Sequence, residues 1–208
     1  PISSGSGSIY ENVGIYLEHH IKDLAKELPS YLQDTPDFIR CVEAINIKGN
    51  LPDNAMLATV DVSSLFTVIP QEEGAECMRQ NLNTRQNQQV PTEYLIRILE
   101  VCNEHNIFEF NGDLYKQKIG SGMGSRPTPP YANNYMGSKI DPRIREIAKQ
   151  MSEDGSMHLE LFKRFLDDLF FIFFGTTQKL HLFLKAINNI HPSINFTMNH
   201  TNPKNETQ

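Results

Sequence analysis

Hydrophobic residues recur along this chain with two different periods, and the switches between them mark the elements. Val13, Leu17, Ile21, Leu24 and Leu28 fall three or four apart, the spacing of one helix face, and Pro29 ends the run. A second helix is expected with Thr35 as N-cap, Pro36 at the first helical position and Asp37 at the positive end of the helix dipole. Phe38, Val42 and Ile45 mark its buried stripe. The period then shortens. Met56 to Val62 follows a Pro/Asp/Asn turn and reads as a buried strand, although it carries an acid, Asp61, that a core strand would not choose for stability. A helix is expected after Pro70, a polar loop over 81–89, and another helix over about 92–104 with Tyr94, Leu95, Ile98 and Cys102 inward. Phe108 to Tyr115 reads as a hairpin, because Asn111-Gly112 suits left-handed turn positions. A glycine-rich loop over 120–127 leads into a helix from Pro130 that Pro142 kinks or ends. Leu161 to Phe174 is a second hairpin. A last helix carries Leu180, Phe183, Leu184, Ile187 and Ile190, and 194–198 is a final strand. Interleaved strands and helices predict an α+β domain.

Composition narrows the class. A chain of 208 residues can bury a real core, as one domain or little more. Its 19 Lys+Arg against 25 Asp+Glu give a net charge of -6, which offers no electrostatic sign of nucleic-acid binding. The longest apolar run, Leu169 to Phe174, is far too short for a membrane span, so no membrane partner is expected. Cys41, Cys77 and Cys102 lack the spacing of a zinc or redox motif. Their odd number, and a start without a secretory pattern, predict a reducing intracellular compartment. With no initiator Met, the chain is expected to be a piece of something longer. His19-His20 is expected on a solvated helix face, and the three Asn-x-Thr sites are expected to be silent without secretion.

Candidate chemistry sits on two acidic spots. One is Asp61. The other is Asp167-Asp168, inside the otherwise apolar run Arg164-Phe165-Leu166-Asp167-Asp168-Leu169-Phe170-Phe171. Adjacent acids in a hydrophobic hairpin repel each other and resist burial, and a divalent cation is the usual compensation. Magnesium takes oxygen ligands from one or two carboxylates plus substrate phosphates. An Asp pair alone is weak, because Asp is also a common turn residue. Residues 120–130 fit neither a Walker loop nor a dinucleotide fingerprint. They suit a backbone that approaches a ligand closely, with a flexible connection as the plain alternative.

In these segments the chain resembles a known family. Asp61-Val62-Ser63-Ser64-Leu65-Phe66 with the following residues through Gly74 looks like the first palm motif of reverse transcriptases from Penelope-like retroelements. Gly122-Met123-Gly124-Ser125-Arg126-Pro127-Thr128-Pro129-Pro130-Tyr131-Ala132-Asn133 looks like their second, and Arg164-Phe165-Leu166-Asp167-Asp168-Leu169-Phe170 like their third. Ile190 to Met198 is similar to the segment that follows. Pro1-Ile2-Ser3-Ser4 and the helix ending at Leu28-Pro29 match the region upstream. These enzymes are related to telomerase catalytic subunits.

The resemblance implies a polymerase palm with partial fingers, an antiparallel sheet packed on helices. Residues 1–55 would be a helical lead-in, 56–200 the catalytic palm and 201–208 a polar tail. Asp61 and Asp167 would hold two Mg2+ (or Mn2+) ions, with Asp168 assisting. Phe66 would be the aromatic gate that excludes a ribose 2′-hydroxyl, with an ordinary core position as its alternative. Gly122, Gly124, Ser125 and Arg126 would meet the template and nascent pair. Lys163, Arg164 and Phe165 would meet the primer or template, with a charged hairpin edge as the alternative for the two cations. The implied partners are an RNA template, a DNA primer and deoxynucleoside triphosphates. The location would be nuclear for a working copy. Basic fingers are expected before Pro1, and a primer grip and thumb after Gln208. Phe165, Thr128 and Val68 depart from the family's commoner Tyr, Ala and Asn. Two rivals stand beside this reading: a remnant that only binds nucleic acid or a partner, and an RNA-templated RNA polymerase, against which Phe66 speaks.

Overall fold

A computed structural model describes residues 7–49, 51–52 and 55–201. The upstream match at 1–4, and all of the tail but Thr201, lie outside the described residues. Helix α1 (Glu11–Ile21) continues as a 3-10 turn (Lys22–Glu27). Next come α2 (Thr35–Lys48), β1 (Ala55–Val62), the short α3 (Leu65–Val68), α4 (Gln71–Thr84) and α5 (Thr92–Glu104). The hairpin β2 (Ile107–Phe110) and β3 (Asp113–Lys116) precedes α6 (Thr128–Tyr135), a π-helical turn (Met136–Ile140) and α7 (Asp141–Met151). Strands β4 (His158–Phe165) and β5 (Asp168–Phe174), helix α8 (Thr177–Ile187) and β6 (Phe196–His200) follow.

Four local expectations change. The cap of α2 is Asp34, whose carboxylate accepts the Asp37 N–H at 2.9 Å, so Thr35 is already helical. Helix α4 runs on through the first residues of the expected polar loop. In α5 the buried face is Leu95, Ile96, Leu99 and Asn103, and Tyr94 is 68% exposed. Pro142 starts a helix rather than ending one. In the first turn of α7 its missing N–H costs nothing, because that group would have no helical partner.

Packing groups the described residues into two units, 7–28 with 64–139, and 29–63 with 140–201. Both are discontinuous in sequence, so they cut across the blocks 1–55 and 56–200. The first unit is helical: α4 packs on α5 and α6, and α1 on α5. A polar ladder ties it together. Asn81 donates to Asn134 at 3.2 Å and to Ser138 at 2.7 Å, and buried Asn134 donates to the Pro130 carbonyl at 2.8 Å.

The second unit is built on an antiparallel sheet of order β4-β5-β1-β6. In β1, Met56, Ala58, Val60 and Val62 are buried and the residues between them are not, so the strand is half-buried rather than fully buried. Phe171 and Phe173 of β5 point to the same inner face and meet Phe183 of α8 at ring distances of 5.7 and 6.2 Å. Each such side chain contributes roughly 1.5–3 kcal/mol on burial. On the outer face, Phe38 of α2 meets Phe170 edge-on at 4.9 Å. Among the described residues no helix is long and apolar enough to cross a membrane.

Candidate active site

Strand alternation decides where the acids go. With Val60 and Val62 inward, Asp61 must face outward, and it is exposed. Its partner across the β1–β5 ladder is Asp168, whose own partner on β4 is Phe165. On the other side Asp61 pairs with Thr197 of β6. One rung of the outer face therefore reads Phe165, Asp168, Asp61, Thr197. Directly opposed residues in such a ladder have Cβ atoms about 4.5–5.5 Å apart, so two like charges face each other at a destabilising separation.

Asp167 sits in the β4–β5 turn, after Leu166, which has φ 55°. A left-handed leucine is strained, by roughly 1–3 kcal/mol, and persists only where its surroundings over-determine it. Both turn carbonyls are held. The Leu166 carbonyl accepts from the Arg164 guanidinium at 2.9 Å, and the Asp167 carbonyl accepts the Val62 N–H at 3.0 Å. The half-buried Asp167 carboxyl has its pKa pushed up, first by desolvation and further by the negative charges of Asp168 and Asp61. Asp167 thus senses both of the other acids.

Arg164 requires a correction. Phe165 faces outward, 46% exposed, so Arg164 faces inward, and its exposure is 0%. Its Nε donates to both Asp141 carboxylate oxygens, at 3.2 and 3.0 Å, and Ser30 donates to the same carboxylate. Burial pushes the Asp141 carboxyl up, and Arg164 and Ser30 pull it back. The Arg164 backbone also exchanges hydrogen bonds with the Ser30 carbonyl and the Leu32 N–H. A guanidinium committed in this way has no surface to offer a phosphate. It anchors the hairpin turn from inside. Lys163 lies on the outer face, where its ammonium donates to the Pro29 carbonyl at 3.0 Å. Sequence reasoning missed Asp141 altogether. The available signal was period-two alternation, which makes Arg164 inward once Phe165 is outward and so demands a buried acid.

In the helical unit, Phe66 is half-buried on α3, just after left-handed Ser64. Its carbonyl accepts the Ser121 N–H at 2.7 Å. Gly120, at φ +71°, packs so close that a Cβ would lie 2.5 Å from the Phe66 carbonyl oxygen. A Cβ on Gly122 would meet Asn106 at 2.5 Å, and its carbonyl accepts from Thr128 at 2.9 Å. Gly124 and Arg126 are exposed and Ser125 is half-buried. This unit thus joins Phe66 to the glycine loop, while the sheet unit joins Asp61, Asp167, Asp168, Phe165 and Lys163.

All three acids offer carboxylate oxygens, the donors that a hard divalent ion takes. Among the described residues, no three His, Cys, Asp or Glu side chains close into a set that would hold a metal by themselves. An open set still fits magnesium, which keeps waters and takes the rest of its shell from substrate phosphates.

No protein-family model and no curated protein matches the chain. Solved structures do. Apo telomerase from Candida tropicalis is similar with a TM-score of 0.65 at 13% identity, over 93% of this chain and 37% of that one. Telomerase of the same organism in complex with the TWJ fragment of telomeric RNA gives 0.64 at 14% identity, over 93% and 33%. The RNA polymerase complex inside a double-stranded RNA virus gives 0.57 at 13% identity, over 96% and 19%. The chain spans about a third of the telomerases and a fifth of the viral polymerase. At such identities the likeness is one of fold: the chain has an α+β polymerase-like fold, an antiparallel sheet with helices, of the kind found in telomerase and viral RNA polymerases.

Proposed function

We propose that the chain is the catalytic core of an RNA-directed DNA polymerase of the Penelope-like retrotransposon type. The observation that carries this reading is the outer rung Phe165, Asp168, Asp61, Thr197, with the Asp167 carboxyl beside it. The polymerase-like fold supports it. Asp61 and Asp167 would hold Mg2+ or Mn2+, with Asp168 assisting. When bound, two divalent ions supply stabilisation of the attacking and leaving oxygens of phosphoryl transfer. The protein's own residues position the reactants. The β1–β5 ladder fixes the separation of Asp61 and Asp168, and the Leu166 turn fixes Asp167 against β1. Phe165 gives an apolar surface beside the acids for a primer terminus. Phe66 would block a ribose 2′-hydroxyl, held in place through its backbone by Ser121 and Gly120. Gly122, Gly124, Ser125 and Arg126 would meet the template and the nascent pair. The substrates would be an RNA template, a DNA primer and deoxynucleoside triphosphates, and the working location the nucleus.

The test is primer extension on an RNA template by the full polypeptide. Asp167→Asn should abolish extension, and Phe66→Ala should admit ribonucleotides. Undiminished extension by Asp167→Asn would sink the assignment. The open metal set favours one rival, a remnant that binds nucleic acid without chemistry. Manganese titration separates the two, because a working site should lose Mn2+ binding in Asp61→Asn, whereas a remnant shows none to lose.

A further inference from the structure

Strand β6 turns one face toward α8. Phe196, Met198 and His200 pair across the ladder with Val62, Val60 and Ala58, all inward residues of β1, so the three share the inner face. Helix α8 lies along that face. The Asn188 amide donates to the Phe196 carbonyl at 3.1 Å, and Asn188 Oδ1 accepts the Phe196 N–H at 2.8 Å. His181 is two turns N-terminal to Asn188 on the same helix face. It meets His200 with ring centroids 5.4 Å apart and 74° between the planes.

The His200 ring is set by its surroundings. Its Nδ1 lies 3.1 Å from the Thr201 carbonyl oxygen. A carbonyl only accepts, so Nδ1 carries the proton and the lone pair is left on Nε2. The carbonyl belongs to a residue that is itself held. The Thr201 N–H donates to the Leu57 carbonyl at 3.0 Å, and the Leu57 N–H donates to Thr201 Oγ1 at 3.0 Å. A ring N–H tied to a backbone carbonyl is the arrangement that orients metal-bound histidines. His200 is half-buried. His181 is exposed, so its ring can turn either nitrogen toward its neighbour.

We propose that His181 and His200 form a binding site for a borderline divalent ion of the zinc type, Zn2+, Ni2+ or Cu2+. Imidazole nitrogen suits those ions, whereas the carboxylate rung suits hard Mg2+ and Mn2+. Zn–N bonds of about 2.0–2.1 Å place the centroids of two rings on one tetrahedral ion about 5 Å apart, close to the separation of this pair. The remaining positions go to water, so the site is open rather than a closed structural centre. A bound ion clips α8 to β6, an edge strand of the sheet. The His19 and His20 rings, 5.3 Å apart, lack this support. Successive residues of a helix do not face each other, and His20 packs edge-on against Tyr16.

The experiment is calorimetric titration of Zn2+ into the 208-residue chain at neutral pH, with Mg2+ in excess to occupy carboxylates. The parent should bind a single Zn2+. His181→Ala and His200→Ala should each weaken that binding by at least about tenfold. His181→Cys, which exchanges one zinc ligand for another, should keep the site, and His19→Gln and His20→Gln should match the parent. Zn2+ should also raise the thermal unfolding midpoint of the parent and not of His181→Ala. His181 is exposed, so its substitution leaves the core intact, and far-ultraviolet circular dichroism checks that His200→Ala is folded. Parental affinity in His181→Ala would overturn the site. So would a loss confined to His19→Gln or His20→Gln, or a parent that binds no Zn2+. The acid rung takes no part, so the polymerase reading stands or falls separately.

Discussion

Arg164 is fully buried, and its guanidinium is committed to the Asp141 carboxylate and the Leu166 carbonyl. A buried ion pair is tolerated because each charge compensates the desolvation of the other, so removing one partner leaves a bare charge at a cost of about 3–5 kcal/mol. Arg164→Met should therefore lower stability by about that much, and it should also loosen the turn that positions Asp167. Joining Arg164→Met with Asp141→Leu should recover much of the loss. Urea unfolding midpoints check both, and an unchanged midpoint in Arg164→Met would contradict the pairing. Asp167 behaves in the opposite sense. Its folded pKa lies above the unfolded value, so the native state binds that proton more tightly. Its contribution is favourable below the unfolded value and is lost as pH rises through the folded one. At neutral pH without divalent ions, the Asp167 carboxylate opposes folding. Asp167→Asn should then melt above the parent, the gap closing as pH falls toward the ordinary Asp range and narrowing when Mg2+ is added. A parent that melts above Asp167→Asn in EDTA at neutral pH would refute this.

Elements show which expectations local chemistry can carry. The Asn111-Gly112 hairpin formed as read, with φ 53° and 84° at the two turn residues, because a short turn depends on its own residues. Strand β1, the β4–β5 hairpin and the bounds of α5 also formed as read. Faces fared worse. The inward side of α5 and the half-buried state of β1 depend on which neighbours cover them, and periodicity alone does not name a neighbour. The glycine loop lies between these cases. Gly120 is required twice, by its positive φ and by the Phe66 backbone 2.5 Å from any Cβ, whereas Gly112 has positive φ and open space. Gly120→Ala should thus cost about 1–3 kcal/mol, and more than Gly112→Ala. Equal losses in thermal unfolding would show that the close approach does not matter.

At the scale of the whole molecule, packing cuts the chain into two discontinuous units, which no linear reading of composition would divide at 28, 63 and 139. Non-local contacts decide that division. The acidic balance that seemed to speak against nucleic acid also changes meaning. Part of it is local, since the outer rung sets Asp61 against Asp168 with Asp167 alongside, and one arginine that might have faced a phosphate is withdrawn into the core. By itself the sequence determined the element types, the turns with their own signatures, and the identity of the three acids, because local propensity and hydrophobic period are written residue by residue. Only the tertiary structure decided that Asp61 and Asp168 share one rung, and that Arg164 serves Asp141 rather than a phosphate. Those facts depend on strand register and on which side each strand turns to its neighbours, and register is a relation between distant segments that neither segment carries alone.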